Sequence, residues 1–431
     1  MKGKPVLGTP TLVFLVVANM IGAGVFTTSG FAIGDLGTPL RVLAAWLVGG
    51  GLAVCGALSY GALARLHPIS GGEYLYLSRV IHPMAGFVAG WISLLAGFTG
   101  AIAVAAIAFE VYAWPSSMSA FLPENTLATA AIILAALLHG LQVRHGVWVQ
   151  NLIVVLKLVL IAGFASIAAY QFAIGSVDAQ LVSAAQAGAG AFSITAFAVT
   201  LMWVSFSYSG FNAAIYVASE VPQASRKVPR AMVLATVIVM LIYLILNAIF
   251  VLAPSAESIA NKSDVAAIAA RVLGGTWLAA VVRVIVAVAL FSSVSAMIMA
   301  GPRVYAKMAD DGLLPEILCY RHGAPGVAIA MQALLAVTVV WIASLRELLS
   351  YLGMTLSISA AATICSLFVL INRKPEQKAD LPGYPWAPIT YVSFTLLFAV
   401  LAAIRTPLEM LAAILTILSG VIVYYYFARR Q

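Results

Sequence analysis

Long apolar stretches separated by short polar loops dominate the 431-residue chain. A helix needs about 20 apolar residues to cross a bilayer, and windows of about 19 residues mark twelve such stretches. They fall at 11–33, 40–64, 84–113, 127–142, 148–173, 191–219, 230–253, 276–301, 326–343, 348–371, 387–404 and 408–428. The fourth and ninth are short. Between the seventh and eighth, Ser263 and Asp264 stand as N-cap residues for a short helix that ends at Gly274-Gly275, apart from the spans. The apolar run after Lys2 and Lys4 passes residue 30 with no small-residue cleavage site. It therefore reads as a retained first span rather than a signal peptide.

Two spans break the pattern. The first carries Ile21-Gly22-Ala23-Gly24-Val25, and the sixth carries Tyr208-Ser209-Gly210-Phe211-Asn212 after Ser205 and Ser207. Each glycine weakens a helix by about 1 kcal/mol relative to alanine, and backbone groups freed in lipid must find partners within the protein or a wet cavity. Close packing of small residues explains either motif alone. Together they lie five spans apart, so spans 1–5 and 6–10 read as two copies of one unit, inverted because each holds an odd number of spans. Paired, glycine-interrupted helices in corresponding halves point to a transporter's midplane site. Half-helix amides there suit a carboxylate and freed carbonyls suit an ammonium, the two charges of an amino acid.

Composition agrees with that picture and narrows it. With 63% hydrophobic and 9% charged residues, against about 25% charged in soluble domains, a water-soluble enzyme, a disordered chain and a disulfide-built secreted domain are excluded. The net charge of +8 follows from topology. Lys2, Lys4, Arg65, Arg79, Arg144, Arg226, Lys227, Arg230, Arg303, Lys307, Arg321, Arg373, Lys374, Lys378, Arg429 and Arg430 fall on the side of both termini. Arg41, Lys262, Arg271, Arg346 and Arg405 fall on the other. By the positive-inside rule both termini are cytoplasmic, and the basic face meets an anionic leaflet rather than nucleic acid. Cys55, Cys319 and Cys365 have no metal or redox spacing.

Four stretches carry a resemblance to the amino acid–polyamine–organocation transporters, most like the L-type amino acid transporter branch. They are Asn19 to Phe26; Ser70-Gly71-Gly72-Glu73-Tyr74-Leu75-Tyr76; Phe206 to Asn212 leading into Ser219-Glu220-Val221-Pro222 and Val228-Pro229-Arg230-Ala231; and Arg303-Val304-Tyr305 with Ala309-Asp310-Asp311-Gly312-Leu313-Leu314-Pro315. The resemblance implies an all-α polytopic membrane protein with a LeuT-like 5+5 inverted-repeat fold, twelve transmembrane helices and breaks in helices 1 and 6. The first repeat would cover 1–175, the second 190–372, and two appended spans 385–431. It further implies substrate binding at the breaks and alternating access. Gly22, Ala23 and Gly24 would offer amides to the substrate carboxylate. Ile21 and the carbonyls near Phe206 and Ser209 would take the ammonium, Phe206 matches the family's aromatic gate, and Ser207, Tyr208, Gly210 and Asn212 belong to the same substrate-binding stretch. One departure is Phe211, where many relatives of this branch have tryptophan; it bears on side-chain selectivity, not on fold.

Charged residues inside spans are few. Lys157 lies nine residues into span five, roughly 14 Å from the cytoplasmic boundary at 1.5 Å per residue, and no Asp or Glu sits at that depth in any span. Its ammonium needs carbonyls and hydroxyls, which broken span one and Ser292 and Ser293 of span eight offer. In sodium-coupled members of the fold such groups hold sodium, and the resemblance makes Lys157 its built-in replacement. A proton carrier and a plain packing residue are the alternatives. Glu110 and Arg283, both in the outer part of the membrane, read as a mutual ion pair bracing the scaffold or as an outer gate. Glu220, beside Arg226, Lys227 and Arg230, is a cytoplasmic clamp or a surface ion pair. Ser70 and Glu73 have capping-box spacing, and the resemblance gives Glu73 and Tyr74 a part in inner-gate closure. His139 reads as a satisfied core histidine.

The expected protein is a sodium-independent transporter or exchanger of neutral L-amino acids in a prokaryotic inner membrane. It would have no cofactor, no metal and no nucleic-acid partner. No acidic residue near the breaks receives a second ammonium, which sets a cationic amino acid or polyamine exchanger second, beside a proton-coupled symporter. A membrane-embedded enzyme or a channel lacks its catalytic cluster or filter. Eukaryotic relatives join an ancillary glycoprotein through an outer cysteine; no cysteine here falls in an outer loop, so no covalent ancillary subunit is expected.

Overall fold

The computed structural model describes residues 8–114, 122–140, 147–175, 191–310, 312–319, 325–373 and 381–428, without the side chains of 147–154, 307 and 428. Lys2, Lys4, Arg144, Asp311, Arg321, Lys374, Lys378, Arg429 and Arg430, used above for orientation or motif, lie outside these. The described chain is helical, with no strand. In order come α1 Thr9–Met20, α2 Ala23–Leu36, α3 Pro39–Leu66, α4 Gly72–Val80, α5 Pro83–Ala113, α6 Thr126–Gly140 and α7 Val147–Ala173. Then follow α8 Ile194–Ser207, α9 Ala224–Leu252, α10 Val265–Asp310, α11 Gly326–Ile342, α12 Leu345–Arg373, α13 Trp386–Arg405 and α14 Pro407–Ala428. Among the described residues eight helices are long and apolar enough to cross a bilayer, and α1 with α2 forms a further broken span bent by 43°. Helices α6, α8 and α11 are apolar but shorter.

Local chemistry sets several boundaries. Thr38 caps α3, its hydroxyl accepting the Arg41 N–H at 3.4 Å, with Pro39 at the first helical position. His82 caps α5 through Nδ1, which accepts from the Met84 N–H at 3.1 Å. Helix α5 widens to a π-helix over Ser93–Gly100, where the Thr99 hydroxyl donates to the Leu94 carbonyl at 2.8 Å. The expected stop at Gly274-Gly275 is present as a non-helical kink within α10, so the short helix and span eight are distinct.

Both expected breaks are also present. Helix α1 ends at Met20 and α2 begins at Ala23. Helix α8 ends at Ser207, and after turns the chain resumes as a 3-10 helix over Ala213–Glu220. The breaks pack on one another. Gly210, at φ 99°, uses a left-handed conformation that favours glycine, and a Cβ there would lie 3.0 Å from the Asn19 carbonyl oxygen. A Cβ on Gly24 would lie 2.8 Å from Ser207 Cα and 2.3 Å from its Oγ. Gly24 is thus a packing glycine joining α2 to α8. Gly22 faces open space, with nothing within 4 Å of a built Cβ, so close packing does not account for it.

Around the breaks, α9 lies along α3 and α1, α10 along α5, and α6 against α11. Buried Tyr112 ties three elements: its hydroxyl donates to the Phe26 carbonyl at 2.8 Å and accepts the Ala266 N–H at 3.3 Å.

Gly24→Ala should lower the thermal stability of the detergent-solubilised protein by about 1–3 kcal/mol, the usual overpacking range. Gly51→Ala, inside α3 with nothing within 4 Å of its Cβ, should leave the unfolding midpoint unchanged or raise it, since alanine favours a helix by about 1 kcal/mol over glycine. Equal midpoints for the two variants would remove the packing role of Gly24.

Candidate functional site

The chemistry of the paired breaks begins with their unpaired backbone. The last carbonyls of a helix and the first amides of the next have no helical partner, and lipid supplies none. Tyr243 of α9 meets much of this demand. Its buried hydroxyl lies 2.6 Å from the Met20 carbonyl oxygen and 3.1 Å from that of Ser207, so one side chain touches the carbonyl ends of both broken helices. Its ring packs edge-on to Trp46 at 5.4 Å and tilted against Tyr208 at 5.0 Å. One turn along, Asn247 donates to the Tyr243 carbonyl at 2.8 Å and accepts from the Ser29 hydroxyl of α2.

Lys157 supplies the second support. It is 7% exposed, and its ammonium donates to the Ile21 carbonyl at 3.4 Å and to Ser293 Oγ at 3.3 Å. The structure therefore brings together α7, the first break and α10, with Ser293 and not Ser292 in reach. Other expected contacts resolve unevenly. Ser207 Oγ is buried between α2 and α8, donating to the Trp203 carbonyl at 3.0 Å and lying 3.3 Å from Thr28 Oγ1. The buried Tyr208 hydroxyl donates to the Trp46 carbonyl at 3.2 Å. Both side chains are held in packing contacts, and only their backbone remains at the break. Phe206 is half-buried against the core, and the Ser209 N–H donates back to the Phe206 carbonyl at 3.0 Å. Ala23 and Gly24 are buried at the start of α2 and Gly22 is partly open.

On the side of α4, the capping box does not form. Gly71 precedes α4 with no side-chain cap. Ser70 instead reaches the 3-10 segment, 2.6 Å from Ser219 Oγ and accepting the Ser219 N–H at 2.8 Å. Glu73 turns inward. Its Oε1 accepts from the Tyr60 hydroxyl at 2.6 Å and from the Asn212 amide at 3.3 Å, and its Oε2 accepts from the Ser359 hydroxyl at 2.8 Å. An acidic group thus does lie beside the second break, contrary to the reading that none is near; chain distance conceals it because α4 folds back beneath the break. Burial pushes the Glu73 carboxyl above the usual range, partly offset by its hydroxyl donors. Tyr74 packs toward α5, where its ring would lie 3.7 Å from a Cβ on Gly90. Glu220 is exposed and forms no ion pair among the described residues, so neither the clamp nor the surface pair is seen.

At the opposite end, Glu110 and Arg283 do not pair. Glu110 accepts the Asn125 N–H at 2.7 Å and the Ala128 N–H at 2.8 Å, closing the free amides and positive dipole end of α6. Arg283 pairs instead with Asp264 and donates to the Val111 carbonyl at 3.1 Å. Shared depth suggested a pair, but each charge meets a nearer partner at a helix end. A different outer cluster is present. Asp35, buried at the end of α2, accepts from Arg346 and lies 3.7 Å from Arg405. The Arg346 guanidinium also sits 5.1 Å over the Trp203 ring of α8. His139 hydrogen-bonds Ser295 Oγ at 2.8 Å, an ordinary helix-to-helix contact.

The amino acid permease pattern matches residues 7–426. The chain belongs to that family. It is an integral membrane transporter and not an enzyme. Over 98% of its length the permease is 24% identical to the human (Homo sapiens) Asc-type amino acid transporter 1, covering 82% of that protein. It is 26% identical to the human large neutral amino acids transporter small subunit 2 over 98% of this chain and 80% of that one. It is also 26% identical to the serine/threonine exchanger SteT of Bacillus subtilis (strain 168), over 99% of this chain and 98% of that one.

Sequence reasoning about this permease missed Tyr243, Asn247, Asp35 and Arg346. A usable signal was present for the first two: a tyrosine and an asparagine one turn apart in an otherwise apolar span must both find polar partners.

Tyr243→Phe removes the one hydroxyl hydrogen that the Met20 and Ser207 carbonyls compete for, at about 1–3 kcal/mol; uptake by the purified permease in proteoliposomes should fall roughly tenfold or more. Retained uptake would show that the hydroxyl is dispensable. Because the folded-state pKa of Glu73 is raised, the folded protein binds this proton more readily than the unfolded chain does. Stability of wild type relative to Glu73→Gln should therefore rise as pH falls from about 7 to about 5, measured by thermal unfolding in detergent. A pH-independent difference would contradict the shift.

Proposed function

We propose that the permease exchanges neutral L-amino acids by alternating access, without sodium. The observation that carries the sodium independence is Lys157, a fixed cation donating to the Ile21 carbonyl and Ser293, where a transported cation would otherwise find its ligands. Substrate would bind at the breaks, with the first amides of α2 on the carboxylate and the carbonyls at the end of α8 near the ammonium. The names of the relatives speak of Asc-type transport, large neutral amino acids and serine/threonine exchange. Glu73 has three donors already, which supports a neutral side chain over a second positive charge. The same Lys157 geometry favours proton-coupled uptake as a second reading, since its acceptors are neutral and no carboxylate pairs with it among the described residues.

The fold we propose is the LeuT-like 5+5 inverted repeat, with repeats over 1–175 and 190–372 and two further spans in 385–431. In support, counterpart helices pack on each other, α3 on α9, α5 on α10 and α6 on α11, as a two-fold axis in the membrane plane requires. The three shorter apolar helices complete twelve spans. Both termini would face the cytoplasm of a prokaryotic cell, by the distribution of basic residues, with no covalent ancillary subunit.

Proteoliposomes containing the purified permease should take up a labelled neutral L-amino acid saturably, faster with unlabelled substrate inside, and equally when sodium is replaced by choline. Lys157→Ala should impair uptake or alter its pH dependence. Linear flux that no amino acid competes would defeat the transporter site, and a requirement for sodium would defeat the role given to Lys157.

A further inference from the structure

We infer that a cavity at the ends of α3, α4 and α12 binds the phosphate headgroup of an anionic membrane lipid. The cavity, about 280 Å³, lies away from the breaks. His67, the residue after α3, Arg79 in the last turn of α4 and Arg373 at the end of α12 bring cationic or polar groups to its rim. Leu75, Val80 and Leu370 make its walls. Arg373 Nη2 donates to the Val80 carbonyl at 3.2 Å, which ties the guanidinium to the cavity wall while most of its N–H groups stay available. Neither Arg79 nor Arg373 has a carboxylate partner among the described residues, and no carboxylate lines the cavity.

Two guanidiniums lining one cavity, with no counter-ion among the described residues, favour an anion. Guanidinium forks match phosphate oxygens in a bidentate manner, and basic pockets between membrane helices bind lipid headgroups on the cytoplasmic side. Charge at a helix C-terminus alone explains one such arginine, but not two from separate elements facing one cavity. The walls distinguish the source. Leu75, Val80 and Leu370 give nothing to a fully hydrated free phosphate, yet they suit the glycerol ester of a phosphodiester whose chains remain in the bilayer. The choice of inner leaflet rests on the orientation proposed above.

The full-length permease, purified in detergent and incubated in mixed micelles with either phosphatidylglycerol or phosphatidylcholine, should retain the former selectively, read by native mass spectrometry. Retention should fall roughly thirtyfold in Arg79→Gln/Arg373→Gln, from the loss of two basic contacts. Leu75→Trp, which fills the cavity and keeps the charge, should lower it too. Lys262→Gln/Arg271→Gln, the same charge change at exposed positions elsewhere, should not. Equal retention of the two lipids by wild type would overturn the site whatever the variants do, as would undiminished retention in the arginine variant. Displacement of phosphatidylglycerol by inorganic phosphate at matching concentration would mark a simple anion site and overturn the lipid assignment. Retention in detergent does not depend on which face the cavity occupies, so failure here leaves the orientation and the exchange proposal standing.

Discussion

A bilayer offers no hydrogen bonds, and a helix interrupted within it must have its freed backbone groups satisfied by the protein. Much of this structure follows from that demand at two places. Tyr243 bridges the carbonyl ends of α1 and α8, and Lys157 takes the next carbonyl at Ile21. These side chains come from α9 and α7, so the helices carrying them are fixed against the broken pair by polar contacts as well as by packing. The same groups set the charges and donors that face the breaks.

The two ends of the site are held by different physics. Toward α4, a carboxylate is surrounded by neutral donors from α3, α12 and the segment after the second break. Toward the end of α2, Asp35 meets Arg346 and Arg405, whose side chains are 39% and 42% exposed. The carboxylate is buried but its two arginines reach solvent, so salt weakens that pairing, whereas the sheltered network depends on geometry and on one proton. The end at Asp35 is therefore the one sensitive to ionic strength, and the end at Glu73 the one sensitive to hydrogen-bond register.

What the chain makes legible is what is locally anomalous. Glycines within apolar runs at Gly22 and Gly210 mark the breaks because nothing in a plain span calls for them. Lys157 stands out because a charge in lipid is costly. Partner identity is another matter. Glu110 and Arg283 share a depth, yet the amides of α6 and the loop residue Asp264 lie nearer, which only the folded path of the loops decides. Glu73 fits a capping box by spacing, but the hydroxyls of Tyr60 and Ser359 compete for it, and they are far away in sequence. Tyr243 hides for a related reason: tyrosines are unremarkable in membrane helices until their hydroxyl partner is known.

The contact of Gly24 with Ser207 has a mechanical consequence. With the backbones of α2 and α8 within side-chain-free distance, these two half-helices cannot shear past each other without a clash, and they behave as one stiff lever. Their continuations differ: α1 is a regular helix, while Ala213–Glu220 is a 3-10 helix, whose hydrogen bonds are poorer. Bending is therefore cheapest beyond the second break, which gives the carrier a rigid end and a compliant one.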